Sequence, residues 1–315
     1  MRTHLQPLVD RLAGEVVEIP TADPVNFHQV IAGGGRSPAA IAIDGVLALP
    51  AGPGPHPVVM IVPGSAGISP NHTMHAETLQ AEGYGVCVID PFGARSVTST
   101  VANQAQYSFA ASAYDVVATL RVLAADPRVD ANRISAQGHS RGGAAVMIAA
   151  MRRFADAVVG DLALAGAYAA YPWCGQQFLR PAVGRTRIRA IIGDRDEWCS
   201  VMAVQAQIHS IRLEGGEASL RIVRGAHHSF DRYEEVHELI EARVSPNAPI
   251  EYLADDGAMV DPFTGTPDPA RTDVDQFRDA VEGGFGRRGA CLGSTPGQPE
   301  LFCADMLAFH AAVLR

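Results

Sequence analysis

The sequence predicts an α/β protein with a mostly parallel central sheet and helices on both faces. Two observations carry this. From about residue 41, short apolar runs alternate with longer runs of helical period, which is the pattern of βαβ units. The composition, 47% hydrophobic against 19% charged over 315 residues, supplies the core that a sheet covered on both sides requires.

The elements follow in order. "AIAIDGVLALP" and "PVVMIVPG" read as strands joined by the turn-rich "AGPGPHP". A helix is expected over "TMHAETLQAEG", closed by Gly83, and "YGVCVID" is the buried strand after it. Residues 106–125 carry Tyr114, Val117, Leu120 and Val122 at helical spacing. Next come the strand "RISAQGHS" and the helix "RGGAAVMIAAMRRF". "LALAGAYAAYP", "RIRAIIGD" and "LRIVRGA" supply three further strands, with a helix over "SVMAVQAQIHSIRLEGG" before the last. Residues 245–297 are rich in Gly, Pro and Asp and are expected to form an irregular excursion that partly covers the site. Phe302, Met306, Phe309 and Val313 then recur on one face of a closing helix, about 298–314. The organisation expected is one domain over 1–315 with its core at about 40–235.

Composition excludes several functions. All 25 basic residues are arginine, so Schiff-base chemistry, a Ser-Lys dyad and a P-loop lysine are absent. A net charge of −9 without a basic cluster argues against nucleic acid. The run "GGGRSP" from Gly33 has Pro38 where a dinucleotide fingerprint needs its third glycine. The amino terminus lacks the apolar stretch of a secretory signal, and no segment has the length of a membrane span, so a cytoplasmic location without membrane contact is expected. Cys87, Cys174, Cys199, Cys291 and Cys303 are scattered with no C-x-x-C pair, which argues against a zinc site. Cys291 and Cys303 read as free thiols or, in an oxidising compartment, as one bridge. His72 and His75 have i, i+3 spacing but no evident third ligand, so no metal is expected there.

The chemistry concentrates at strand ends, where open α/β sheets bind ligands. "GHSRGG" sets Ser140 between Gly138 and Gly142 at a strand-to-helix junction, the context of a nucleophile elbow. A serine hydroxyl needs a base, and the base an orienting acid. "IIGDRDEWC" offers Asp194, Asp196 and Glu197 at the next strand end but one, and "RIVRGAHHSFD" offers His227 and His228 at the last. The order Ser, acid, His is the one this architecture uses.

These segments, with "GVLALPAGPGPHPVVMIVPGSAG", "AEGYGVCVIDPFGARSV" and "DPRVDANRISAQGHSRGG", resemble the dienelactone hydrolase-like branch of the α/β-hydrolase superfamily over about residues 40–235. The resemblance implies an α/β-hydrolase fold and a serine hydrolase cleaving a carboxylic ester or related acyl bond of a small molecule. By position it makes Ser140 the nucleophile, Asp196 the acid and His228 the base, leaving Asp194 as a turn former. The N–H groups of Arg141 and of Ser65, or of Ala66 in its place, would form the oxyanion hole. No metal or organic cofactor is implied, and activity should rise with pH as the base loses its proton. The namesakes of the family use cysteine where Ser140 stands, so lactone specificity does not carry over, and Pro63-Gly64 replaces the common His-Gly. Arg95 is a candidate for holding a substrate carboxylate, an ordinary surface or interdomain arginine being the other reading. Trp173 and Trp198 are candidates for lining an acyl or alcohol pocket, with core packing as the alternative. A peptidase or amidase of the same fold, and a non-catalytic binding module, remain as alternatives.

Overall fold

In the computed structural model, residues 3–33 and 37–315 are described. Gly34, Gly35 and Arg36, in the run rejected as a dinucleotide fingerprint, lie outside them. The chain opens with α1 (Gln6–Leu12), β1 (Glu15–Asp23), α2 (Phe27–Ile31) and β2 (Ala39–Ala48). Then follow β3 (His56–Val62), α3 (Pro70–Ala81), β4 (Gly85–Asp90), α4 (Phe109–Ala125) and β5 (Val129–His139). The second half of the core comprises α5 (Arg141–Ala149), α6 (Arg152–Val159), β6 (Gly166–Ala170), β7 (Gln176–Phe178), β8 (Arg187–Gly193), α7 (Val201–Leu213) and β9 (Ala218–Val223).

Eight strands form the central sheet in the order β1-β2-β4-β3-β5-β6-β8-β9. β2 runs antiparallel to both of its neighbours, and every other adjacent pair after it is parallel. Side chains of β5 alternate between the two faces. Ser135 and Gln137 bond to His310 of the closing helix α9 (Gln298–Leu314), while Ile134 and Ala136 are buried in the core toward α4 and α5. Helices therefore cover both faces, as expected. Gly166 lets α9 approach β6 closely: a Cβ there would lie 2.8 Å from the Phe309 ring.

Three element expectations are corrected. The first is β1, which has no counterpart in the sequence reading. It is an edge strand in which Ile19 and Ala22 are buried but Val16 and Val17 only half-buried and Pro20 exposed, so its periodic signal is diluted. The second is the single helix over 141–154, which breaks at Met151. That residue is extended (φ −70, ψ 122), and the Arg152 N–H bonds to the Ala182 carbonyl at 2.8 Å. The third is the excursion. It contains β11 (Glu251–Leu253), β12 (Met259–Val260), β13 (Pro267–Asp268), α8 (Asp273–Glu282) and β14 (Arg287–Leu292), with β10 (His237–Val244) just before it. β11 extends β7 in parallel, and β14, paired with β10, is bonded through Cys291 to Glu197 and Trp198, so the segment is tied to the core at two places. Its strands are short and broken by glycines at positive φ such as Gly257 and Gly265, which hides them from any period of two. Among the described residues no helix is long and apolar enough to cross a membrane.

Candidate active site

β5 ends in the turn that presents Ser140, and steric geometry dictates its composition. Ser140 is held at φ 55, ψ −111, a conformation that costs an L-residue energy and persists only where the surroundings impose it. A Cβ on Gly138 would sit 2.0 Å from the Gly142 carbonyl oxygen, and one on Gly142 would sit 2.4 Å from that of Val62. Neither position admits a side chain without moving backbone. The Ser140 N–H is tied to the Ala170 carbonyl at 2.9 Å, and its carbonyl accepts from Ala144 at the start of α5.

The loops after β8 and β9 bring the other two residues to this turn. His228 Nε2 lies 3.0 Å from Ser140 Oγ, and His228 Nδ1 lies 2.8 Å from Asp196 Oδ2. The second carboxylate oxygen of Asp196 accepts the N–H groups of Trp198 and Cys199 at 2.8 and 2.9 Å. Those two bonds fix the carboxylate so that one lone-pair direction faces the imidazole. Asp194 points elsewhere and accepts the Gly225 N–H at 2.6 Å. Glu197 accepts the Cys291 N–H, which, with Arg287 nearby adding to it, holds its carboxyl below the ordinary range.

The imidazole of His228 is clamped by rings. Trp198 stacks on it at 5.2 Å and Tyr171 meets it edge-on at 4.6 Å. Tyr171, at φ 37, and Ser229, at φ 54, share the unusual backbone of Ser140. The Tyr171 hydroxyl donates to Asp231, a buried carboxylate that also accepts from Asn71 and His75. Burial alone would raise the Asp231 carboxyl, but the His75 hydrogen bond and nearby His139 hold it well below the ordinary carboxylate range. Cys199 lies beside Ser140, and burial, with the Asp196 charge adding to it, pushes its thiol far up, so it stays protonated.

Two sets of donor atoms lie close enough to share a cation: His75, His139 and Asp231, and Asp196, Cys199 and His228. The first supplies the partner for His75 that the spacing of His72 and His75 did not reveal. Its carboxylate is already occupied by three donors, and in the second set both ring nitrogens of His228 are engaged. Both sets thus spend their ligand atoms on hydrogen bonds. Cys291 and Cys303 are free thiols.

A cavity of about 510 Å³ opens over Ser140 and is lined by Ser65, Arg141, Trp173 and Trp198 among others. Ser65 and Arg141 thus flank Ser140 on this wall, and among the described residues neither backbone N–H donates a hydrogen bond. The Arg141 side chain is buried. Its guanidinium lies over the rings of Phe109 and Tyr107 at 4.0 and 4.6 Å and bonds the carbonyls of Gln104 and Tyr107, pinning the loop that forms one cavity wall. Trp173 stacks on Phe109 at 4.2 Å.

Arg95 is a correction. It lies outside the cavity lining, its side chain is 4% exposed, and it pairs with Asp115 at 2.8 Å and Asp23 at 2.6 Å. Asp115 is fully buried on α4 and needs a counter-charge, so this guanidinium is not available to a substrate. The sequence reading also missed Phe109, Phe277, Arg243 and Arg288, which line the cavity. Phe277 had a signal, because the Thr272–Asp275 capping box announces α8. Arg243 and Arg288 had none, because only the β10–β14 pairing brings them over Ser140.

The model of the dienelactone hydrolase family matches residues 43–248, about two-thirds of the chain. The chain belongs to the dienelactone hydrolase family. Membership makes it a hydrolase, and the matched span takes in the Ser140 turn and the Asp196 and His228 loops. Among solved structures, one named m3DLH is 21% identical with a TM-score of 0.50, covering 70% of this chain and 85% of its own. A thermophilic esterase from the Planctomycetes species Thermogutta terrifontis is 15% identical with a TM-score of 0.49, covering 68% and 87%. A dienelactone hydrolase-like promiscuous phosphotriesterase, P91, from metagenomic libraries is 16% identical with a TM-score of 0.47, covering 70% and 86%. No curated protein matches the chain. The family match ends at residue 248, so most of the segment 245–297 lies beyond it.

Proposed function

We propose that the chain is a serine esterase that cleaves small-molecule carboxylic esters through an acyl-enzyme. The observation that carries this reading is the unbroken series Ser140 Oγ, His228 imidazole, Asp196 carboxylate, at 3.0 and 2.8 Å, raised on a strained turn at the floor of a cavity. Ser140 attacks the ester carbonyl while His228 takes its proton. Asp196, itself held by two N–H groups, keeps the imidazole oriented and stabilises its charged form. The N–H groups of Ser65 and Arg141 receive the developing oxyanion. His228 then protonates the departing alcohol, and water activated by His228 releases the acid. No step calls for a metal or an organic cofactor.

Fluorophosphonate labelling and p-nitrophenyl acetate turnover, on wild type and Ser140→Ala, test the reading. Wild type should label at Ser140 and turn over, and the alanine variant should do neither. Asp196→Asn should retain its fold and lose about 10³- to 10⁴-fold in kcat. A folded wild type that neither labels nor turns over would refute the proposal.

A further inference from the structure

Ser140 lies at the junction of two unequal cavities. The larger, about 510 Å³, is walled by Phe109, Trp173, Phe277 and Val281 and includes Arg141 but not His228. The smaller, about 140 Å³, is walled by His228, Tyr171, His72, Arg232 and Glu234. Ser65, Ser140 and Trp198 border both. An ester bound with its carbonyl carbon at Ser140 Oγ must place its acyl group in one lobe and its alcohol in the other.

The chemistry assigns the lobes. When the carbon–oxygen bond to the alcohol breaks, the departing oxygen must take its proton from His228 Nε2, which received it from Ser140. The alcohol oxygen therefore lies on the side that His228 lines, which is the small lobe. The attacking water of the second step needs the same base. The acyl group is left with the large lobe, where the half-buried rings of Trp173 and Phe277 favour a flat, ring-bearing group. We infer that the physiological substrate class is the ester of a bulky, ring-bearing acid with a short alcohol. This rests on the serine esterase reading above.

The balance of the reaction is simple. Ser140 Oγ bonds to the acyl carbon, the carbon–alkoxy bond breaks, and the alcohol leaves with the proton from His228. Water then splits the acyl-serine into free acid and serine.

Two esters of reversed polarity test it: methyl biphenyl-4-carboxylate and biphenyl-4-yl acetate. The large lobe has more than three times the volume of the small one, so a biphenyl group, roughly 200 Å³ at protein packing density, is expected to bind in the large lobe. Each kcat/KM is divided by the ester's own hydroxide rate constant, because the aryl acetate has the better leaving group. The normalised value should favour the methyl ester by about tenfold or more, and should fall along the methyl, butyl and octyl biphenylcarboxylates. Ser140 labelling by fluorophosphonate is run alongside. Labelling with a ratio that favours the aryl acetate, or with no dependence on alcohol length, overturns the lobe assignment and leaves the esterase reading intact. Absence of both labelling and hydrolysis removes the esterase reading, and the lobe assignment falls with it.

Discussion

Replacing Asp231 by asparagine keeps the side chain's shape and removes its charge. In the wild type the carboxylate is fully buried and accepts three hydrogen bonds: Tyr171 Oη at 2.7 Å, Asn71 Nδ2 at 2.8 Å and His75 Nε2 at 2.8 Å. In the variant the amide oxygen can keep two donors, and the Tyr171 hydroxyl can rotate to accept from the new amide. The loss is therefore the charge assistance of three bonds, about 1 kcal/mol each, so urea unfolding at pH 7 should show a loss of about 3 kcal/mol. The sign with pH follows from linkage. The folded carboxyl is held below its ordinary range, so the stabilisation is present above an unfolded value of about 4 and shrinks as pH falls below that. The gap between wild type and variant should therefore narrow from pH 4 toward pH 2. Because the Tyr171 ring bears on His228, kcat should fall while KM changes little. A gap under about 1 kcal/mol at pH 7, or one equally wide at the lowest pH at which the protein still folds, would refute the account of this network.

Other perturbations follow from the same geometry. Gly138→Ala drives a Cβ into the Gly142 carbonyl; it should cost about 3 kcal/mol or more and abolish fluorophosphonate labelling, read by thermal melting and gel. His310, buried against Ser135 and Gln137, has its pKa pushed down to about 3 by desolvation. The unfolded chain thus binds a proton that the folded one refuses, and stability should fall with decreasing pH from about 6.5 toward 3 by up to about 1.4 kcal/mol per unit. His310→Gln should flatten that slope in denaturant titrations at pH 4, 5 and 6. Arg95→Met strips the counter-charge from Asp115, whose carboxyl burial already raises to about 6 despite the Arg95 pairing. It should destabilise by about 3–5 kcal/mol and leave the KM ratio between carboxylate-bearing and neutral esters unchanged. A selective loss on the charged esters would restore Arg95 as a substrate ligand.

Much of the candidate site was legible because its chemistry is local. Gly138 and Gly142 are required by backbone atoms within the same turn and the strand beside it, and Asp196 and His228 each follow a strand whose apolar run is plain. The segment 245–297 was not legible, since its two- and three-residue strands are too short for a period and exist only through partners such as β7 and β10. Arg95 shows the same limit in a single residue. Its position past a strand end is local, whereas its ion pairs with Asp23 and Asp115 join elements 72 and 20 residues away.

The sequence by itself determined the parallel core, the strained serine turn, and the types and order of the three residues around it, because periodicity and steric exclusion act between near neighbours. Tertiary structure decided the rest: which of three carboxylates bonds His228, which arginine is spent on a buried charge, and which side chains wall the large and the small lobe beside Ser140. Those depend on side chains brought together from distant elements, and no local pattern encodes a distance between them.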